Sequence, residues 1–555
     1  MNYPIQYFRL AIGNTNNNIT ATGSTLTPSH LTGNINEKWY INYISENVFQ
    51  IINASNNQLI TTSENKIFLS NISDSEEQKW KIEGIEKDYD GYYLYYKITS
   101  NSDSSKALTY IENTGFSLST FSGEEYQKFK LNLDGLEGFA SNCKTSSGEK
   151  AGTIGGLLGE TIFVSNKDEL LREVNEENPK TIVINANLNL KNEKNIRIKG
   201  YKTIIGSFKY HTIYDCNFRS NDANGKDKPS DNIILKNLNI EARDNGNKIL
   251  LSFYSSRQIW LDHIIFNSSI SYNRKGDGTD AVGQFIWINT PYGNKPDDKD
   301  MNRTSDYITT SYCKFINKYW CFAIGSQNSE TIRNRITLSY NWWHQNVRRC
   351  PHIMNGICHI YNNYYQSYGQ RDNGNETRGI IGGHKSEILS QNNMFNGFTK
   401  IQALDMGEDE DHLAYDDNSY FSNDLNGNVT KINFSPKKAS KWKPNETNYG
   451  YKLIDGFNKE GTGIKEFCSM YTGCFDSQEK FKYITDNDLS NFIKLVYDSP
   501  FLKNINFSNS TKKTDKLSSK ANKNNELKNE NKSFSIVKTE VYKNEQCVHT
   551  VVYVK

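Results

Sequence analysis

Nowhere in its 555 residues does this chain carry a long apolar run. The roughly 18 consecutive apolar residues that a membrane-spanning helix requires do not occur, so no membrane association is expected. The opening stretch, MNYPIQYFRLAIGN, lacks the basic start and apolar core of a signal peptide. An excess of one charge is also missing. Lys and Arg number 65 against 63 Asp and Glu, a net charge of +2, which argues against nucleic-acid binding as the main task. Proline is scarce, at 10 residues, and hydrophobic residues make up only 36%. Aromatics nevertheless reach 12%, and Asn, Ser, Thr, Tyr and Gly fill the remainder. That balance suits a turn-rich β protein whose surface is lined by hydroxyls and amides. The length exceeds one ordinary core, so two or three domains are expected.

A repeat dominates residues 259–395. When segments starting at Ile259, Ile308, Ile336, Cys358 and Ile388 are aligned, the eighth residue of each is aromatic: Phe266, Phe315, Trp343, Tyr365 and Phe395. The sixth residue of the last three is Asn: Asn341, Asn363 and Asn393. The starts lie 49, 28, 22 and 30 residues apart, so the first gap holds an extra coil or a long insertion. A period of this length with short apolar strands predicts a parallel β-helix, in which each coil stacks about 4.8 Å above the last. Aromatics then stack on aromatics, and Asn amides form a hydrogen-bonded ladder. Both columns are scaffold. Lys167–Val174 is the one clear helix candidate, placed to cap the solenoid's open end.

Residues 1–135 hold a second repeat. Three units end in Glu37-Lys38-Trp39, Gln78-Lys79-Trp80 and Gln127-Lys128-Phe129, each preceded by a polar turn and a short strand. Units of this length with a Q-x-W-like ending resemble the ricin-type β-trefoil. In that family sugar-binding units carry an Asp soon after the turn, where this chain has Thr20, Thr61 and Thr109. Core packing is the expected role of Trp39, Trp80 and Phe129. The expected organisation is a trefoil over 1–135, a Gly-rich linker over 136–160 and a β-helix with a C-terminal extension over 161–508. A disordered linker (509–534) and a short β-like tail (535–555) follow. The nine cysteines are an odd number. Cys321 and Cys350 fall on adjacent coils within disulfide reach, and Cys468 and Cys474 are placed to close a local loop; all being reduced is an equal alternative.

Four short motifs carry chemistry: Trp260-Leu261-Asp262-His263, Ile308-Thr309-Thr310-Ser311, Arg349-Cys350-Pro351 and His359-Ile360-Tyr361-Asn362-Asn363. Their order and spacing resemble the pectate lyase family of polysaccharide lyases. The resemblance implies a right-handed parallel β-helix that cleaves galacturonan by β-elimination and is secreted. It also implies a pectic or other acidic polysaccharide as partner, and a monomer is expected. In that family, calcium ions held by acids, a Lys and two Arg neutralise the uronate carboxylate, and the first Arg of R-x-P-x-x-R removes the C5 proton.

Transferred position by position, the resemblance places the catalytic Arg on Arg349. The second Arg falls on Met354 and the Lys on Trp320. The calcium acids fall near Asn247, Ile249, Gly283 and Trp287, none of them a carboxylate. The usual calcium site is therefore expected to be lost. Asp277 and Asp280, flanked by glycine, are either an ordinary turn or the ligands of a rebuilt calcium site. Trp287 and Trp320 offer sugar-stacking faces suited to a neutral, methyl-esterified substrate, and His352 joins them as a cleft residue. Asp262 and His263 are expected on opposite faces of a strand, in structural roles. A non-catalytic carbohydrate-binding protein on the same scaffold is the alternative.

Overall fold

The computed structural model describes residues 2–483 together with a terminal hairpin, Ile536–Lys543 paired with Gln546–Val554. Within that span it leaves out 146, 222–228, 244–248, 270–282, 290–303, 326–333, 347, 368–376, 406–411, 426–427, 433–448, 455–461 and 481–482. Two β architectures are joined in it. In the first, the strands Phe8–Ile12, Trp39–Ser45, Val48–Asn53, Trp80–Lys87, Tyr93–Ser100 and Phe129–Leu133 pair antiparallel in a closed ring. Three hairpins, 17–30, 59–70 and 106–120, complete the unit. The threefold sequence repeat becomes a threefold structural one. Trp39, Trp80 and Phe129 are fully buried and pair with Phe8, Phe49 and Tyr96. The indole nitrogens of Trp39 and Trp80 donate to the Ile19 and Ile60 carbonyls at 2.9 and 2.8 Å.

The second architecture is a solenoid of three parallel sheets. The first has ten strands, from Glu160–Val164 to Leu413–Asp417; the second has ten and the third eight. One added strand, Thr430–Lys431, pairs antiparallel at the end of the second sheet. Ile259 lies directly beside Ile308, so the long first gap is an insertion and not a further coil. The aromatic column forms a continuous stack. Ring centroids lie 5.1 Å apart for Phe266–Phe315, 4.3 Å for Phe315–Trp343, 5.6 Å for Trp343–Tyr365 and 4.4 Å for Tyr365–Phe395, with near-parallel planes. The amide ladder also forms: Asn341 Nδ2 donates to Asn363 Oδ1 at 2.9 Å, and Asn363 Nδ2 to Asn393 Oδ1 at 3.0 Å.

From the strand Ile233–Lys236 onward, each coil turns the corner after its first-sheet strand by one residue in the left-handed region. Asn237, His263, Tyr312, Tyr340, Asn362, Asn392 and Asn418 occupy this corner, with φ between 50° and 66°. Asn tolerates that conformation best, which accounts for its recurrence. The helix Lys167–Val174 buries Leu170 and Val174 in the solenoid core, and Asn166 caps it by accepting from the Glu169 amide.

The Gly-rich segment is not a loose linker. It is a strap laid across the outer face of the first sheet. A Cβ at Gly156 would lie 1.9 Å from the Lys180 carbonyl oxygen, and one at Gly159 1.9 Å from that of Pro179, so only glycine permits this approach. Thr309 Oγ1 accepts from the Ala140 amide at 3.1 Å, and Thr337 Oγ1 from that of Phe139 at 3.1 Å. Trp260 and Ile234, on the solenoid's outer face, join the core of the N-terminal unit. The two architectures thus share buried surface.

His359 lies on the same covered face. Its ring nitrogens contact the Tyr449 hydroxyl at 2.7 Å and Gln391 Oε1 at 2.8 Å. Burial pushes its pKa down to about 3 from an ordinary 6.5, against the opposing pull of the Gln391 contact. A base whose folded pKa is depressed contributes stability that is present above the unfolded value and lost as pH falls. The window runs from about pH 6.5 down to about 3, at up to about 1.4 kcal/mol per pH unit. Urea titrations of His359→Gln at stepped pH are expected to show a shallower loss across this window than wild type. An identical slope would remove His359 as a source.

Candidate active site

The third sheet is the one face of the solenoid that carries Arg349. Alternation there sends Ile286, Ile288, Phe322, Ile324 and Ile353 to the core. One outward residue per coil is left in register: Ser252, Trp287, Ala323 and His352. His352 therefore joins the Trp287 column two coils further on, with Ala323 between them. Trp320 pairs with Gln284 on one side and with Arg348 on the other.

Arg349 has φ 59°, so the chain at this point is not a regular strand. Simple alternation does not place Arg348 and Arg349 on opposite faces here. The Arg349 guanidinium lies over the Trp320 ring, 4.2 Å from its centroid, and Nη1 donates to Gln284 Oε1 at 3.3 Å. No carboxylate among the described residues pairs with it. Burial lowers its pKa below the ordinary arginine range, and the Arg348 charge lowers it further, while Tyr319 opposes both. This is the environment that arginine needs before it can lose a proton at all. Gln284 gave no sequence signal, because an amide before an apolar strand has many structural uses. The Trp287 ring packs against Tyr254, one coil earlier, with centroids 5.9 Å apart.

Asp277 and Asp280 lie outside the described residues, as does Asn247. Of the remaining positions that resemblance assigned to calcium acids, Ile249, Gly283 and Trp287 supply no carboxylate oxygen. Among the described residues no group of three His, Cys, Asp or Glu side chains converges to hold a metal. These positions do not fit a calcium cluster. Cys321 and Cys350 are buried, free and in thiol contact, and Cys468 and Cys474 are also free.

Asp262 and His263 do meet, contrary to the strand-based expectation. The left-handed corner at His263 swings the imidazole back, so that Nδ1 lies 3.0 Å from Asp262 Oδ2. Both are fully buried under the C-terminal extension, on the covered first sheet and away from Arg349. A cavity of about 430 Å³ at the junction of the two architectures is lined by Arg9, Asp134, Glu137 and Tyr483, among others. Its charges are satisfied internally, Lys38 reaching Asp134 at 2.8 Å and Lys452 reaching Glu137 at 3.8 Å.

A parallel β-helix with a half-buried arginine, unpaired among the described residues, on an outward groove is the scaffold of a polysaccharide lyase. The chain belongs to the pectate lyase family, whose model matches residues 133–456. It is 25% identical to a pectin lyase of Bacillus subtilis over 63% of this chain and 90% of that protein. It is 27% identical to a pectate trisaccharide-lyase of Thermotoga maritima over 39% of this chain and 53% of that protein. Among solved structures, a pectate lyase from Bacillus sp. N165 in complex with trigalacturonate covers 61% of this chain and 99% of its own, with 18% identity and a TM-score of 0.45. No helix among the described residues is long and apolar enough to cross a membrane.

Proposed function

We propose that this pectic polysaccharide lyase acts on methyl-esterified galacturonan, with Arg349 as the base and no calcium in the step. Arg349 abstracts the C5 proton, the electron pair is delocalised onto the C6 ester carbonyl, and the C4–O bond then breaks. A C4=C5 double bond forms, and the departing oxygen takes up a proton to become the new chain end. A methyl ester carries no charge to neutralise, so a groove in which no carboxylate or lysine pairs with Arg349 among the described residues suits it. The observation that carries this reading is the half-buried Arg349 guanidinium on Trp320 without an acidic partner among the described residues. The similarity to a pectin lyase over 90% of that protein's length supports the same substrate.

The experiment measures unsaturated uronide release from methylated pectin and from pectate, each with and without chelator. Faster cleavage of methylated pectin, indifferent to chelator, is expected. Preference for pectate with loss of activity under chelator would overturn the calcium-free reading and restore Asp277 and Asp280 as ligands.

The N-terminal unit is read here as a ricin-type β-trefoil serving as scaffold. In support, Thr61 and Thr109 spend their hydroxyls on Ser70 and Ser119 at 2.7 Å each, and Thr20 bonds Ser29 in the same way. A polymeric substrate is met outside the cell, which favours a secreted monomer.

A further inference from the structure

Arg349 reaches back across two coils to its hydrogen-bond partner. Gln284 opens one third-sheet strand, Trp320 lies directly beside it on the next, and Arg348 bridges to Trp320 from the coil after that. The guanidinium therefore crosses the Trp320 ring, 4.2 Å from its centroid, before Nη1 donates to Gln284 Oε1 at 3.3 Å. The span is two strand spacings, about 10 Å. Gln284 is only 7% exposed, so its amide is a fixed acceptor and not a mobile surface group.

The same chain holds a counterpart with a different acceptor. The Arg335 guanidinium also lies 4.2 Å from an aromatic centroid, that of Tyr307, but its Nε donates to the two Asp306 carboxylate oxygens at 3.1 and 3.0 Å. Burial lowers the pKa of both arginines. At Arg335 the Asp306 hydrogen bonds and charge override burial, and the pKa stands above the ordinary arginine value. At Arg349 it stays below that value, with Arg348 lowering it further and Tyr319 opposing. Gln284 and Trp320, its two contacts on the neighbouring coils, carry no charge. Stacking and burial are common to both arginines; the acceptor sets them apart.

We propose that Gln284 is a positioning residue for the elimination: its neutral amide oxygen anchors Nη1 of Arg349 and leaves a different nitrogen of the fork to take the C5 proton. This rests on the reading of Arg349 as the base. A nitrogen that donates to Gln284 keeps its hydrogen, so the lone pair of the neutral guanidine lies on another arm, free to meet the substrate. A carboxylate in the same place would hold the arm as firmly, but it would also hold the proton that the base must shed beforehand. An amide orients the group without adding that charge.

The test measures kcat and KM on methylated pectin across pH, per folded molecule, for wild type, Gln284→Glu and Gln284→Met. Gln284→Glu keeps an acceptor and adds a charge. The Arg349 pKa then rises, and a smaller fraction is neutral at any pH below it. The rising limb of kcat against pH is expected to move upward by about one unit or more, a loss of about tenfold at fixed pH. Gln284→Met keeps the length of the side chain and removes the acceptor. Its kcat is expected to fall about tenfold with KM and the position of the limb little changed. A Gln284→Glu profile that superimposes on wild type overturns the positioning role. So does a Gln284→Met kcat equal to wild type, which decides the matter should Gln284→Glu not fold. Wild type inert on methylated pectin would instead overturn the lyase reading itself.

Discussion

Arg349→Lys is expected to lose eliminative cleavage of methylated pectin by at least about 10²-fold, the scale of a lost general base, with thermal unfolding unchanged. The guanidinium is held flat on Trp320 at 4.2 Å while one nitrogen bonds Gln284. The fork fixes the group by one arm and leaves another for the C5 proton. Lysine offers a single, strongly hydrated ammonium that has no plane to lay on the indole. Burial, first, and the neighbouring Arg348 charge, second, lower the Arg349 pKa. Both depend on the side chain staying in its half-buried place. The measurement is unsaturated product per folded molecule, with circular dichroism to confirm the fold. Retention of more than about a tenth of wild-type activity would remove Arg349 from the role of base.

What could be read in the residues, and what could not, divides along periodicity. The Phe266 to Phe395 column and the Asn341–Asn363–Asn393 ladder were legible because stacking forces one residue type to recur at one place in every coil. Arg349 was legible through its motif, and the threefold Trp39, Trp80 and Phe129 pattern through its spacing. The failures share a cause, which is backbone that departs from a regular strand. Two-residue alternation separates Asp262 from His263, yet the corner at φ 51° brings them together. The composition of 136–160 suggests a linker, but glycine there serves close approach to Lys180 and Pro179 and not freedom. Gln284 carries no local signature; its meaning arises from the register that sets it beside Arg349.

The corner that joins Asp262 to His263 also yields the largest expected loss of stability. Asp262 accepts from Ser311 Oγ at 3.0 Å and from the Tyr483 hydroxyl at 2.5 Å, and Lys236 Nζ lies 3.9 Å away. Asp262, Ser311 and Lys236 belong to the covered face of the first sheet, where Lys236 and Asp262 are almost wholly buried, and Tyr483 to the segment that covers it. Burial pulls the Lys236 pKa down to about 8, and Asp262 is the leading counterweight that keeps the ammonium charged. Asp262→Ala removes that carboxylate and leaves an ammonium, two hydroxyls and an imidazole in a dry pocket without their shared acceptor. Breaking a buried pair from one side costs about 3–5 kcal/mol, a large share of the stability of an ordinary domain. Asp262→Asn keeps an oxygen for Ser311 and Tyr483 and should lose less. Denaturant unfolding measures both, and cleavage per folded molecule separates two roles. If Asp262 and His263 hold the architectures together, stability falls and the rate on methylated pectin stays. If instead the rate collapses while the unfolding midpoint stays, the pair works as a catalytic dyad, and the third-sheet groove has been given the wrong chemistry.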